Sequence, residues 1–257
     1  VIVGACTHFI ELLHRLGIWD RWLLQPHMRI RVLDRNMKKG SLSTSFLPSP
    51  FHLLPSFLAY AHLSLGDKVR IVWALICAKS TDRHQPHLED TTFHQWLKEH
   101  GQSDRAMHNF WTLVMLPILN DRVETVSATM GLMVIQEGML QDYHSADMGY
   151  ATRDLNAALG EPAKEYLQGQ GCNIIFGCSV RKLILNSGRV TGIELASGET
   201  VTGQVFVSAL PFSHLLAILP PKTAEMPVFQ NLKGLKTSPI VNVHIWYDRP
   251  VMEGDFC

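Results

Sequence analysis

Side chains capable of proton transfer are concentrated in one short stretch, where Asp142, His144 and Asp147 precede Gly149. Carboxyl and imidazole groups held against a substrate act as general acids or bases. We interpret these three as solvated loop residues. The sequence therefore names no proton donor and no catalytic residue.

Metal-binding and thiol chemistry are also unsupported by the spacing of the residues. The chain has 13 histidines, but they are scattered, and the pair His84 and His87 spans Pro86, which prevents both from sharing one helical face. We predict no metal site. The 5 cysteines are odd in number and include no C-x-x-C pair. This pattern predicts reduced, buried thiols in a cytoplasmic protein.

Several other functional classes are excluded by composition and motif. The formal net charge is 0 and 46% of the residues are hydrophobic, so a large core is expected and nucleic acid is not an expected partner. G-x-G-x-x-G, P-loop, H-E-x-x-H and G-x-S-x-G patterns are all absent. The longest uncharged apolar run, Ile71 to Ala78, is shorter than the ~20 residues of a membrane-spanning helix.

The element most clearly defined by its pattern is a β unit from Gly171 to Pro211, preceded by a short helix at Pro162 to Leu167. Short Gly-containing turns between apolar runs predict hairpins. The last run, VFVSA, is apolar enough to be a strand buried on both faces. An ordinary α+β core with two hairpins is the alternative. The predicted strands and turns are Ile174–Phe176, Ser179–Leu185, Asn186–Gly188, Val190–Leu195, Ser197–Gly198 and Val205–Ala209.

The first half of the chain predicts a helix, a hairpin and then a mainly helical region. The helix spans Gly4 to Leu16 with Gly17 as its cap, and the hairpin spans Met28 to Thr44 with a turn at Asn36–Gly40. The helix Phe51–Leu63, which carries almost no charge, and the second apolar helix, Asp67–Lys79, have two interpretations, core or a surface that dips into lipid. Further helices are predicted from Thr92 to Gly101, Asp104 to Leu119 and Val126 to Met139.

Sequence blocks along nearly the whole chain resemble the flavin amine oxidase and phytoene desaturase superfamily. Within it the likeness is greatest to the squalene-associated flavoproteins, the hydroxysqualene dehydroxylases of bacterial hopanoid and squalene synthesis. The segment GEPAKEYLQGQGCNIIFGCSVRKLILNSGRVTGIELASGETVTGQVFVSALP resembles the second FAD-contacting segment. The other blocks, in order, are GACTHFIELLHRLG, LPSPFHLLPSFL, WLKEHGQ, FWTLVMLPILN, the stretch at Ser127 and Ala128, and SPIVNVHIWYDRPV.

The resemblance implies an α/β (α+β) fold, the Rossmann-like FAD/NAD(P)-binding flavoprotein fold with a helical cap. In this family the phosphate-binding glycines lie in an N-terminal βαβ unit, which would precede Val1. We therefore expect an internal fragment that by itself binds cofactor poorly and is inactive. The implied segments are the end of the FAD-proximal region with the hairpin (1–48), the helical substrate domain (49–145), the second FAD-binding segment (146–215) and a strand of the substrate-domain sheet (216–257).

The resemblance also implies a cofactor, FAD, and the residues that would contact it. Val180 would hydrogen-bond adenine through its backbone N–H and C=O, a role that needs an extended strand rather than a particular side chain. Ser179 flanks it, and Ala209 and Pro211 end the strand that approaches the dinucleotide. Gly4 would lie near the isoalloxazine, where the absence of a side chain lets a ring approach; a helix-starting role is its alternative.

Substrate contacts follow from the same resemblance. Gly149, Tyr150 and Arg153 occupy the link that passes near flavin and substrate, and His244 and Trp246 would face the cavity from the strand Pro239–Trp246. Packed sheet positions are the alternative for the last two. The expected substrate is an apolar C30 isoprenoid, and peripheral contact with the inner membrane is left open.

The implied activity is the FAD-dependent reductive dehydroxylation of hydroxysqualene to squalene, an oxidoreductase reaction in which the protein positions and shields its cofactor. Two alternatives remain. One is a carotenoid, phytoene-type, desaturase or isomerase, in which the same flavin runs an oxidation. The other is a non-catalytic protein that binds isoprenoid lipid.

Overall fold

The computed structural model of the chain describes residues 1–33, 38–49 and 51–251. The chain forms two compact units. The large unit comprises Val1–Tyr166 and the chain from Pro239 onward, and the small unit comprises Leu167–Ser238. The predicted boundaries after residues 48, 145 and 215 separate segments by their expected contacts with cofactor and substrate. They therefore stay a prediction.

The large unit combines short strands with a series of helices. Its strands are β1 (Ile2–Val3), β2 (Trp22–Leu24), β3 (Arg29–Leu33), β4 (Lys39–Ser43) and β5 (Met148–Ala151). Its helices are α1 (Thr7–Arg15), α2 (Leu54–Ala59), α3 (Leu65–Ser80), α4 (His87–Asp90), α5 (Phe93–Glu99), α6 (Asp104–Ala106), α7 (Thr112–Leu119), α8 (Ala128–Met133) and α9 (Glu161–Gly169), the last of which continues into the small unit.

A three-stranded antiparallel sheet, in the order β1-β5-β2, joins the first residues of the chain to the segment that follows the helices. Ile2 pairs with Gly149, and Leu24 pairs with Gly149 from the other side. Leu13 of α1 and Ile18 are buried against this sheet, with Ile2 and Trp22. The predicted hairpin is formed by β3 and β4, while Asn36 of its predicted turn lies outside the described residues.

The C-terminus of α1 confirms the predicted glycine cap. Gly17 has φ +67°, and its N–H donates to the His14 carbonyl at 3.0 Å. The N–H of Ile18 donates to the Leu13 carbonyl at 3.0 Å. These two bonds form a Schellman motif, closed by the apolar contact of Ile18 with Leu13.

The remaining helices enclose the main hydrophobic core. The predicted capping box is present at the start of α5, where Thr92 and Gln95 bond reciprocally. The helix predicted from Asp104 to Leu119 contains a π-helical segment, Met107–Trp111, between α6 and α7. The Trp111 indole donates to Gln102 at 2.9 Å, so this buried indole N–H has a partner.

Helix α3 shows that both interpretations of these apolar helices describe part of the molecule. Ile71, Ala74 and Ala78 are completely buried in the core, whereas the opposite face exposes Leu65 and Trp73. The helix begins with a capping box in which Asp67 accepts hydrogen bonds from the backbone and hydroxyl of Ser64. Among the described residues, no helix is long and apolar enough to cross a membrane.

The small unit confirms the predicted hairpin and adds a third strand. Strands β6 (Val180–Asn186), β7 (Arg189–Leu195) and β8 (Thr200–Thr202) form an antiparallel sheet in that order. Ser187 and Gly188 both have positive φ, as a two-residue type I′ turn requires. Three short helices follow: α10 (Phe212–Ile218), α11 (Pro221–Ala224) and α12 (Pro227–Gln230).

Three apolar runs that we predicted to be strands are not strands. Ile174–Phe176 and Val205–Ala209 of the small unit, and Pro239–Trp246 of the large unit, pair with no strand among the described residues. The prediction that VFVSA is buried on both faces is also wrong, since Val205 and Val207 are exposed. A strand needs a hydrogen-bonded neighbour, and apolar composition alone does not supply one.

The prediction that every cysteine is buried is also incorrect. Cys6, Cys172 and Cys178 are exposed and Cys77 is half-buried, all four as free thiols. Cys172 and Cys178 lie between α9 and β6, in a stretch that forms no helix or strand. No neighbouring element covers their side chains. Cys257 lies outside the described residues.

Candidate functional site

The strongest geometric support for a predicted contact is at Val180. The N–H of Ala196 donates to the carbonyl of Ser179 at 2.8 Å, while Val180 is paired with Leu195. In an antiparallel ladder this pattern marks Val180 and Leu195 as a non-hydrogen-bonded pair. The N–H and C=O of Val180 therefore point away from β7.

Strand β6 is also an edge strand, so this outward side carries no neighbouring strand in the small unit's sheet. A ladder irregularity lies between Val180 and Lys182, where the pairing register shifts. Backbone donors and acceptors at such an edge are the groups through which an adenine ring is recognised without a particular side chain. The edge therefore fits the role predicted for Val180.

The other predicted cofactor residues of the small unit are Ser179, Ala209 and Pro211. All three lie outside its strands. Ser179 uses its carbonyl to close the end of the β6–β7 ladder. Ala209 is exposed, and Pro211 precedes the first turn of α10 as its N-terminal cap residue. Their contacts with a dinucleotide stay predictions.

In the large unit, the β1-β5-β2 sheet brings Gly4, Gly149 and Tyr150 together. Gly4 directly follows β1, and its N–H donates to the Asp147 carbonyl at 2.8 Å. Gly149 is the central residue of the sheet, and Tyr150 pairs with Leu23. Gly4, which is remote in sequence, is therefore a neighbour of the adjacent pair Gly149 and Tyr150.

The structure explains why glycine occupies positions 4 and 149 without any ligand, because neighbouring backbone atoms leave no room for a side chain. A Cβ at Gly4 would lie 1.8 Å from the carbonyl oxygen of His144, and one at Gly149 would lie 2.3 Å from that of Leu23. The space that we predicted for a flavin ring at Gly4 is thus occupied on this side by the backbone of His144. Close packing of main chains accounts for glycine at both positions.

Asp147 corrects the interpretation of the acidic stretch as three solvated residues. Its exposure is 1%, and both carboxylate oxygens are engaged. Oδ1 accepts the Met28 N–H at 2.7 Å, and Oδ2 lies 2.7 Å from Nδ1 of His144. Sequence reasoning missed this role because Met28 is remote in the chain.

A second buried polar residue, His52, was not singled out from the sequence. It is fully buried, and neither ring nitrogen hydrogen-bonds to any described residue. Its ring lies 5.7 Å from that of Tyr143, whose hydroxyl is 2.9 Å from Nδ1 of His27. Burial lowers the pKa of His52, against the opposing influence of the Asp142 and Asp147 carboxylates.

The remaining predicted substrate residues are not gathered around these groups. Arg153 is exposed in the turn after β5. His244 and Trp246 are also exposed, with ring centroids 6.2 Å apart. The packed sheet position considered for this pair is wrong, because the segment is in no strand. That His244 and Trp246 face a substrate cavity stays a prediction.

A groove of about 970 Å³ in the large unit lies between the β3–β4 hairpin and α2. Its lining combines cations and hydroxyls, among them Arg29, Lys39 and Ser43, with apolar side chains such as Val32 and Leu33. This mixed lining does not single out a site for a polyene. Within the described ranges, no three His, Cys, Asp or Glu side chains are grouped so as to hold a metal ion.

Comparison with known proteins decides the family. Residues 1–255 match the family model described as flavin containing amine oxidoreductase. The chain belongs to this family. Membership in the flavin containing amine oxidoreductases confirms the prediction that the cofactor is FAD. In the described structure, the outward-facing edge of β6 at Val180 is the feature that fits binding of the adenine of FAD.

Several members of known name are similar over almost the whole chain. It is 24% identical to the 15-cis-phytoene desaturase of Synechococcus elongatus, covering 99% of this chain and 56% of that protein. It is 26% identical to the 15-cis-phytoene desaturase of Solanum lycopersicum, covering 97% of this chain and 43% of that protein. The chain thus spans about half the length of these relatives.

A solved structure confirms the predicted fold class. An oxidoreductase from Methanosarcina mazei superposes with a TM-score of 0.60 at 16% identity, covering 91% of this chain and 51% of that one. At this identity the likeness concerns the fold alone. The chain is therefore part of an α/β flavoprotein fold.

Proposed function

We propose that this flavin oxidoreductase chain belongs to an enzyme that desaturates an acyclic polyene isoprenoid of the phytoene type. The observation that carries the proposal is the alignment of 99% of the chain with a 15-cis-phytoene desaturase. Family membership supports an FAD-dependent oxidoreductase in general. Beyond this, we propose which substrate is used and that the flavin oxidises it.

In such a reaction one C–H bond breaks on each of two adjacent carbons and a C=C bond forms between them. One hydrogen leaves as a hydride with its electron pair, and the other leaves as a proton. When bound, FAD supplies the two-electron acceptor. Within this proposal the N–H and C=O of Val180 hold the adenine end, and the apolar helices of the large unit help to exclude water from the hydrocarbon.

The reductive alternative is the dehydroxylation of hydroxysqualene, which the likeness to squalene-associated flavoproteins implied. Loss of a hydroxyl is assisted by a proton donor. Asp147, the buried carboxylate beside β5, has one oxygen bonded to Met28 and the other to His144. Asp147 is thus already held by two partners, and we prefer desaturation because the relatives named above are phytoene desaturases.

The experiment offers the two substrates to the same enzyme. The polypeptide encoded by the complete gene would be purified and loaded with FAD. It would be incubated separately with 15-cis-phytoene plus a quinone as electron acceptor, and with hydroxysqualene plus a chemical reductant of flavin. Products would be separated by chromatography and identified by absorption and mass.

We expect phytoene to yield products two hydrogens lighter with longer-wavelength absorption, and hydroxysqualene to be recovered unchanged. Squalene formed from hydroxysqualene, with phytoene untouched, would overturn the proposal in favour of dehydroxylation. A product of unchanged mass but altered double-bond geometry would indicate an isomerase. Failure of the protein to retain FAD would favour the non-catalytic lipid-binding alternative.

A further inference from the structure

One face of the β3–β4 hairpin carries cations and hydroxyls. The cross-strand pairs on that face are Arg29 with Ser43, Arg31 with Ser41, and Leu33 with Lys39. Alternate side chains leave the same side of a strand, and paired residues lie on the same side of the sheet, so these residues share one face. Leu42 belongs to the other face and packs against the main core. The hairpin therefore presents its basic, hydroxyl-bearing face away from that core.

This face is one wall of the groove between the hairpin and α2, which we call the hairpin groove. Ser56 of α2 attaches the opposite wall to β4. Its Oγ donates to the Ser43 carbonyl at 2.7 Å and accepts the Ser43 N–H at 3.0 Å. The volume of the groove, about 970 Å³, lies in the range of sites for small organic molecules, roughly 300–1,000 Å³. The groove therefore has room for more than a bare inorganic ion.

The charge of the hairpin groove is one-sided. Arg29, Arg31 and Lys39 line it, and no Asp or Glu is among its described lining residues. Arg29 and Lys39 are exposed, and neither forms an ion pair with a described residue. Cations that share one wall repel each other, and an anion held between them relieves that repulsion. The groove therefore favours a negatively charged ligand.

The anion that fits these side chains best is a phosphate group. An Arg guanidinium can donate two parallel hydrogen bonds to a phosphate, and a Lys ammonium adds a compact positive charge. The hydroxyls of Ser41 and Ser43 belong to the same lining and are further donors. A phosphate monoester presents three acceptor oxygens to these groups, whereas a carboxylate presents two.

Aliphatic residues make up most of the remaining lining. They are Val32, Leu33, Pro55, Ala59, Ala61 and Val251. No aromatic side chain is among the described lining residues, so the groove offers no ring on which a nucleobase stacks. An aliphatic chain attached to the phosphate would remove apolar surface from water by lying against these side chains. The lining therefore favours an aliphatic ester over a nucleotide.

We infer that the hairpin groove is a binding site for a small, soluble aliphatic phosphate ester. The phosphate lies against Arg29, Arg31 and Lys39, and the aliphatic chain lies against the apolar side chains of the same groove. The site goes beyond the proposed function and does not depend on which isoprenoid is oxidised. No residue assigned above to FAD or to the polyene is among its described lining residues.

The test applies isothermal titration calorimetry to the FAD-loaded polypeptide encoded by the complete gene. The ligands are n-octyl phosphate, inorganic phosphate and 1-octanol, each kept below its solubility or micelle limit. The groove variant is R29Q/K39Q. The matched control is R70Q/K79Q, which removes an arginine and a lysine that are exposed on α3. Circular dichroism establishes which variants retain the wild-type fold.

We expect the wild type and R70Q/K79Q to bind octyl phosphate equally. R29Q/K39Q should bind it at least about tenfold more weakly, because two charged contacts with the phosphate are lost. Added salt should weaken wild-type binding. A59E places a carboxylate in the groove without removing a cation and should also weaken binding. This variant decides the question if R29Q/K39Q does not fold.

The aliphatic chain has its own test. Inorganic phosphate should bind more weakly than octyl phosphate, and octanol should not bind. L33Q should weaken octyl phosphate binding about three- to tenfold and leave inorganic phosphate unchanged, because only the chain loses an apolar contact.

Equal affinity of R29Q/K39Q and R70Q/K79Q for octyl phosphate would overturn the inference, as would a lack of binding by the wild type. Octanol bound as tightly as octyl phosphate would indicate an apolar site, and inorganic phosphate bound as tightly would indicate a site for the anion alone. Release of flavin by octyl phosphate would indicate competition with the cofactor. Binding of a phosphate ester in vesicles but not in solution would indicate a lipid headgroup. Each of these results contradicts a separate site for a soluble ester.

Discussion

The backbone N–H of Met28 donates a hydrogen bond to Oδ1 of Asp147 at 2.7 Å, across 119 positions of sequence. This bond fixes the start of the β3–β4 hairpin to the segment that leads into β5. The other carboxylate oxygen is engaged by His144. One buried side chain thus connects the central strand of the candidate site with the hairpin that follows β2.

Removing this carboxylate should destabilise the large unit. In Asp147→Ala the Met28 N–H loses its acceptor at a buried position, which should cost about 2–3 kcal/mol in the free energy of unfolding. Urea denaturation followed by circular dichroism measures the change. The control is Asp90→Ala, an exposed residue of α4, for which we expect a change within about 0.5 kcal/mol. Equal effects of the two variants would contradict the anchoring role.

His52 should make the stability of the chain fall in mildly acidic solution. Its pKa is lowered by burial from the ordinary value of 6.5, so the unfolded state binds a proton more readily than the folded state. Stability is therefore complete above pH 6.5 and declines as the pH falls below it toward the folded pKa. We expect a loss on the order of 1 kcal/mol between about pH 8 and about pH 5.5.

The variant His52→Leu should remove most of that dependence, because it deletes the titrating ring and two buried nitrogens without hydrogen-bond partners among the described residues. Unfolding curves at the two pH values measure it. The exposed His8, changed to Gln, serves as control and should keep the wild-type dependence. An unchanged dependence in His52→Leu would show that another group titrates.

Gly149 should tolerate no side chain. A Cβ there would meet the carbonyl oxygen of Leu23 at 2.3 Å, and this neighbour is backbone in the adjacent strand. We expect Gly149→Ala to lower the free energy of unfolding by about 1–3 kcal/mol, because the strands must separate to admit it. Gly138→Ala is the matched control, since no atom lies within 4 Å of the added Cβ; it should be neutral or slightly stabilising. Thermal unfolding of the two variants decides.

The edge at Val180 should be needed for FAD affinity. Val180→Pro removes a backbone N–H that points away from β7, so no ladder bond is lost and an edge position tolerates the ring. Loss of one hydrogen bond to adenine should weaken binding about three- to tenfold. Val180→Ala, which keeps the N–H, should bind as the wild type does.

Titration of the apoprotein of the complete gene product with FAD, followed by flavin fluorescence, measures both variants. Circular dichroism establishes that the small unit's sheet is retained in Val180→Pro. If the proline variant keeps wild-type affinity with its sheet intact, adenine is not held by this edge.

The sequence by itself determined the features that depend on neighbours within a few residues. The Gly17 cap, the Thr92 capping box and the hairpin turn at Ser187–Gly188 were predicted and are present. Each is fixed by a local hydrogen bond or by a backbone angle that a particular residue type favours. The family likeness, which rests on blocks of such local pattern, was likewise visible in the sequence.

The tertiary structure decided which side chains are covered, because burial depends on partners distant in sequence. Asp147 looks like a loop residue until Met28 is placed beside it, and His52 is buried in a stretch that carries no local sign of it. Val205 and Val207 have the composition of a central strand, yet strand formation requires a hydrogen-bonded neighbour that no described residue supplies. The sequence predicted α3 as an apolar helix, but only packing determined that Ile71 lies inside and Trp73 outside.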